Sequence, residues 1–112
     1  MMISNKALLR ITEAKNNNGT TLDLSFCSLS SIPSEIENLT HLRFLNLSNN
    51  LFSSIPIEVF KLKNLRILDL SENLIQSIPD EIETLENLTE IDLSLNHIAK
   101  VPLEITKIKN LT

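Results

Sequence analysis

The sequence predicts an α/β solenoid: short parallel strands stacked into one concave sheet, right-handed return segments on the convex side, and a helix over the N-terminal end. Three observations carry that reading. Apolar residues recur at a constant spacing of 23, giving the columns Leu22, Leu45, Leu68, Ile91 and Leu24, Leu47, Leu70, Leu93. Further apolar columns keep the same register: Leu29, Phe52, Ile75, Ile98; then Ile32, Ile55, Ile78, Val101; then Ile36, Val59, Ile82, Ile105. All four prolines, Pro33, Pro56, Pro79 and Pro102, fall in one column. A unit of this length buries its apolar face only against the next unit, so the 112 residues form one domain.

Residues 1–18 are read as the cap. Ser4 is placed to start a helix in which Ile3, Ala7, Leu8, Ile11 and Ala14 recur at helical spacing. Asn16, Asn17, Asn18 and Gly19, the only glycine of the chain, end it. Residues 19–112 carry four repeats and the start of a fifth. In each repeat the alternation predicts a short strand: Leu45 and Leu47 point inward, Phe44, Asn46 and Ser48 outward. Beyond the strand comes the column Cys27, Asn50, Asn73, Asn96. The backbone bends inward there, and a buried amide supplies both donors and acceptors to main-chain groups that otherwise have none. Cys27 fills the same space with a thiol; a reactive or metal-bound thiol would call for an electropositive or ligand-rich setting.

The prolines are expected just inside the start of a convex helical turn, where a missing N–H costs nothing. Glu35, Glu58, Glu81 and Glu104 follow two residues later and suit the positive end of such a turn. At the other terminus Ile105, Ile108, Asn110 and Leu111 match the opening of a fifth repeat that stops at Thr112 without a polar cap. An apolar edge there would serve as a homodimer contact or as the seat of a continuation.

Composition narrows the function. A formal net charge of −4, four Phe and no Trp or Tyr leave neither a basic face nor stacking platforms for bases, so nucleic acid is not the expected partner. No secretory leader is read in the charged first residues, and no stretch is long and apolar enough to span a bilayer. The helix before the repeats carries Lys6, Arg10 and Lys15 but also Glu13, too few cations for a membrane-surface helix. A single cysteine forms no intramolecular disulfide, which favours a cytoplasmic location, or a host cytosol for a secreted effector.

The head of each repeat, L-x-x-L-x-L-x-x-N-x-L, and the S-I-P-x-E-I/V-x-x-L segments at 31–39, 54–62 and 77–85 resemble the leucine-rich repeat superfamily. The form is similar to the intracellular class of 23 residues seen in plant Ras-group proteins, Roco-type kinases, animal scaffolds and bacterial effectors. Departures are Cys27 for Asn, Gly19 for the opening Leu, Lys100 for the Ser before Ile-Pro, and the absent terminal cap. The resemblance implies a protein-binding module without chemistry of its own: an adaptor or scaffold, or alternatively the repeat portion of an effector or signalling protein, or a self-associating structural unit.

Function should show at outward strand positions, where the fold demands no particular residue. These run Thr21, Phe44, Ile67, Glu90, then Asp23, Asn46, Asp69, Asp92, then Ser25, Ser48, Ser71, Ser94, then Phe26, Asn49, Glu72, Leu95. Phe44 and Ile67 form an apolar pair facing away from the core, with Leu51 and Leu74 expected at the rim beside them and Arg43 and Arg66 flanking. The expected protein-binding set is therefore Arg43, Phe44, Asn46, Arg66, Ile67, Asp69, Glu72, Glu90 and Asp92. Asp69, Glu90 and Asp92 form a flat acidic row, whereas calcium needs a loop that wraps it in six or more oxygens, so no metal is assigned. No base adjoins the serines, and Cys27 lies three rungs, roughly 14 Å, from His97. No catalytic residue and no cofactor is expected.

Overall fold

The computed structural model describes residues 5–98. Strands β1 (Thr21–Asp23), β2 (Phe44–Asn46), β3 (Ile67–Asp69) and β4 (Glu90–Asp92) pair in parallel in chain order. Their register shifts by one whole repeat at each step, as in Leu22 opposite Leu45, Leu45 opposite Leu68 and Leu68 opposite Ile91. The ladder continues past the strand ends. Leu24, Leu47 and Leu70 donate their N–H groups to the carbonyls of Asn46, Asp69 and Asp92, each at 2.8 Å.

Opposite the sheet lie three 3-10 helices, Ser34–Asn38, Ile57–Lys61 and Asp80–Thr84. Sheet rungs sit about 4.8 Å apart, less than helical turns need, so the stack curves with the sheet on its inner side. Between the two layers Leu22, Leu24, Leu45, Leu47, Leu68 and Leu70 are buried, joined by Leu29, Phe52, Ile75, Ile36, Val59 and Ile82. Each fully buried side chain of this kind contributes roughly 1.5–3 kcal/mol. Ile91, Leu93 and Ile98 of the fourth coil are only partly covered.

The asparagine column is a hydrogen-bond ladder. Asn50 Oδ1 accepts from the N–H groups of Cys27 (3.1 Å) and Leu29 (3.0 Å), while its Nδ2 donates to the carbonyls of Leu24, Leu47 and Ser48. Asn73 accepts from Phe52 N–H and donates to Leu47, Leu70 and Ser71; Asn96 accepts from Ile75 N–H and donates to Leu70, Leu93 and Ser94. One amide thus ties its own coil to the previous one. Cys27, buried, has only a weak S–H bond to Ser25 carbonyl at 3.4 Å.

Several expectations are corrected. Helix α1 (Asn5–Asn16) packs against β1 and the first 3-10 helix through Ala7, Ile11 and Ala14, but Leu8 is 43% exposed. It lies about 100° round the helix from Ala7, outside the stripe that the two small alanines bring close to the first coil. The helix ends on Asn18, whose φ of 50° supplies the left-handed residue, with Gly19 N–H bonded to Ala14 carbonyl. Gly19 itself has no positive φ; a Cβ there would stand 2.9 Å from Asn17 Oδ1. The prolines sit one position earlier than expected. Pro33, Pro56 and Pro79 immediately precede the 3-10 helices, in extended backbone, and their carbonyls accept the N–H of Ile36, Val59 and Ile82. The readings on Ile3, Ser4, Lys100, Val101, Pro102, Glu104, Ile105, Ile108, Asn110 and Leu111, with the uncapped homodimer edge, lie outside the described residues.

Candidate protein-binding face

The outward residue at the start of each strand is Thr21, Phe44, Ile67 or Glu90, aligned rung to rung by the parallel register. Phe44 and Ile67, opposite each other in the register, are half-buried, while Thr21 and Glu90 are exposed. Cross-strand pairing of an aromatic with a β-branched residue is itself worth roughly 0.2–1 kcal/mol. Beside the pair runs a shallow groove of about 480 Å³, lined by Phe44, Ile67, Asp69, Glu90 and Asp92. An apolar floor and a carboxylate wall therefore share one depression.

The last outward residue of each strand has a second task. Asp23, Asn46, Asp69 and Asp92 each accept, on one side-chain oxygen, both the N–H and the hydroxyl of the serine two residues on. The hydroxyl contacts are 2.6–2.7 Å. These clasps fix the strand exit and account for the whole serine column, whose hydroxyls are donors to a neighbouring side chain. Hydrogen bonds from Ser25 and Ser94, hydroxyl first and N–H second, hold the Asp23 and Asp92 carboxyls below their ordinary range. Asp23 is also met by Arg10, which reaches its carboxylate at 3.9 Å and its carbonyl at 2.8 Å.

Of the expected set, Phe44, Ile67, Asp69, Glu90 and Asp92 come together in the groove. Asn46 shares the sheet face but is clasped to Ser48, and Arg43 and Arg66 are exposed at the strand entrance, outside the groove lining. Their carbonyls, not their guanidinia, hold the next coil: Arg43 accepts from Arg66 and Ile67, and Arg66 from Thr89 and Glu90. Glu72 lies past the exit. Leu51 and Leu74 are exposed there too, at the opposite end of the strands from Phe44 and Ile67, which corrects their expected place beside the pair. Among the described residues no three His, Cys, Asp or Glu side chains gather as metal ligands, and no helix is long and apolar enough to cross a membrane.

Three features were missed in the sequence. Phe26, Asn49, Glu72 and Leu95, one column, all have φ between 54° and 57°, although only Asn tolerates that region well. Asn64 and Asn87 form a second amide ladder on the carbonyls of Thr40 and Lys63, legible as asparagines 23 apart. On the convex side, a mainly apolar groove of about 470 Å³ opens between the second and third 3-10 helices. Its signal was a departure from the columns, not a column.

Similarity to known proteins agrees with this architecture. A leucine-rich repeat region is matched over residues 19–112. The structure of a leucine-rich repeat protein of Leptospira interrogans superposes with a TM-score of 0.70 at 30% identity, covering 89% of this chain. The plant peptide hormone receptor RGFR1, solved in complex with RGF2, gives 0.71 at 41% identity over 83% of the chain. The ectodomain of the receptor kinase SOBIR1 from Arabidopsis thaliana gives 0.65 at 31% over 80%. The aligned part spans 32%, 16% and 51% of those three chains. No curated protein sequence matches.

Proposed function

The chain belongs to the leucine-rich repeat family, and from that premise we propose that it is a protein-recognition module that engages its partner through the concave sheet face. Domains of this family are generally protein-interaction modules. The observation that carries the proposal is the half-buried pair Phe44 and Ile67 beside the carboxylates Asp69, Glu90 and Asp92 in one groove. An apolar anchor at the centre of a polar surround is the arrangement in which a few residues supply most binding energy. The Asp–Ser clasps support the reading because they hold two of the groove's carboxylates, Asp69 and Asp92, in place before a partner arrives, which lowers the cost of ordering them. RGFR1, a plant peptide hormone receptor solved in complex with RGF2, offers a precedent for a similar chain that engages a binding partner. The role is that of an adaptor or scaffold without chemistry of its own.

The test is comparative capture of binding proteins by the wild-type chain, by Phe44→Glu and Ile67→Thr, and by the convex-side controls Glu35→Ala and Glu58→Ala. The two concave variants should keep their far-UV circular dichroism and lose about 1 kcal/mol of stability or less, because neither side chain enters the core. They should also lose the captured band that the wild type and both controls retain. Retention by both concave variants with loss in the controls would move the site to the other face.

A further inference from the structure

The second coil departs from its neighbours at four convex positions, and all four line one groove. Ile57 stands where the flanking coils have Ser34 and Asp80, and Phe60 where they have Glu37 and Glu83. Lys61 replaces Asn38 and Thr84, and Lys63 replaces Thr40 and Glu86. These four residues, with Ile55 beneath them and Glu81 and Thr84 across from them, border the convex groove of about 470 Å³. Ile57 is 76% exposed and Phe60 only 8%, so the phenyl ring makes the floor and the isoleucine a free wall. The same turn closes in the neighbouring coils with polar residues, so the fold makes no demand for exposed Ile57, whereas Phe60 belongs to the buried core.

Charge distinguishes the kind of occupant. Lys61 and Lys63 are exposed, and among the described residues neither ammonium has a carboxylate within ion-pair distance, although the chain as a whole carries −4. Among the described residues Glu81 is the one acidic group on the lining, on the wall contributed by the third coil. The groove is thus apolar below, cationic on one side and anionic on the other, which directs a ligand carboxylate towards the lysines. We infer that this convex groove is a second interaction surface, distinct from the concave one, and that it takes an acidic peptide segment carrying an apolar anchor side chain.

Three fluorescein-labelled synthetic peptides of equal length test this by anisotropy on the intact chain: one with Leu and Phe among Asp and Glu, one with Lys replacing every acid, and one acidic with Ser replacing the anchors. The first should saturate, and the other two should bind at least about tenfold more weakly. Ile57→Ser, which installs the first coil's residue at an exposed site, should weaken the acidic apolar peptide about fivefold or more. Lys61→Glu combined with Lys63→Glu should transfer the preference to the basic peptide, while Phe44→Glu should leave all three affinities unchanged. Circular dichroism and the denaturant midpoint confirm that each variant is folded. Equal binding of the three peptides, or a preference that survives the lysine reversal, overturns the assignment. Concentration-dependent self-association abolished by Ile57→Ser would give the groove to a second copy of the chain and overturn it equally. Loss of peptide binding in Phe44→Glu but not in Ile57→Ser would overturn it too, in favour of the concave face.

Discussion

Asn73 is bonded through one amide to groups of two coils: it accepts from Phe52 N–H and donates to the carbonyls of Leu47 and Leu70, all buried, and to that of half-buried Ser71. Asn73→Ala strands these groups at once and should lower the unfolding free energy by about 1 to 3 kcal/mol. Asn96 makes the same set of contacts but is half-exposed, so water replaces part of what its removal takes, and Asn96→Ala should cost clearly less. Denaturant midpoints of the two variants measure the difference, and equal midpoints would show that burial is not what gives the ladder its strength. Glu72 poses the reverse case. Its φ of 54° lies in the left-handed region, and its N–H is held on Ser94 carbonyl by the neighbouring coil. Asn49 occupies the same position one coil earlier with a side chain that tolerates it. Glu72→Asn should therefore raise stability by about 0.5 to 1 kcal/mol, read as a higher midpoint at unchanged slope.

The strand exit is the smallest element that repeats with changed chemistry. Coils one, three and four close it with an aspartate and coil two with Asn46, each clasping its own serine. Asp23 and Asp92 have their carboxyls depressed in the folded chain. Their contribution to stability is therefore present in full above the ordinary value of 3.8 and is lost as pH falls through the lower folded-state values. Ser94→Ala removes the stronger of the two donors to Asp92. Its titration midpoint, followed by NMR at the side-chain carboxyl, should rise towards 3.8 while that of Asp23 stays put. An unmoved Asp92 would mean that the hydroxyl contact is not what lowers it. The sequence shows where these elements fall because residues that recur at one spacing record constraints every coil shares: the inward leucines, the amide ladder, the prolines. It hides what one coil imposes on another. Phe26, Asn49, Glu72 and Leu95 have no common chemistry, yet all adopt one backbone conformation, and the N–H groups of the first three are held on the carbonyls of Ser48, Ser71 and Ser94 in the adjacent coil. Leu8 was misplaced because apolarity alone does not tell adjacent faces of a helix apart. The concave face was legible as alternation, whereas the convex groove lay in departures that a search for recurring residues passes over.

At the scale of the molecule, each described element packs against elements of its own coil's neighbours in the chain. Helix α1 lies on β1 and the first 3-10 helix, β1 on β2, β2 on β3 and β3 on β4, with the 3-10 helices stacked alongside. Stability in such a stack is close to a sum of coil and interface terms, so damage at Asn73 reaches its neighbours through the interfaces it weakens. The partly covered Ile91, Leu93 and Ile98 show the other side of this arrangement, since a coil is finished only by what lies on both its faces. The ladder that Asn50 and Asn73 continue also sets the unit in which a gene for such a chain changes length. Gain or loss of whole periods of 23 residues puts like against like, whereas a slip of one residue in the strand pairing brings an inward leucine opposite an outward side chain. Because Phe44 on one side and Ile57 with Phe60 on the other belong to the same period, a single tandem duplication of that stretch would copy both surfaces together and leave their spacing across the coil unchanged.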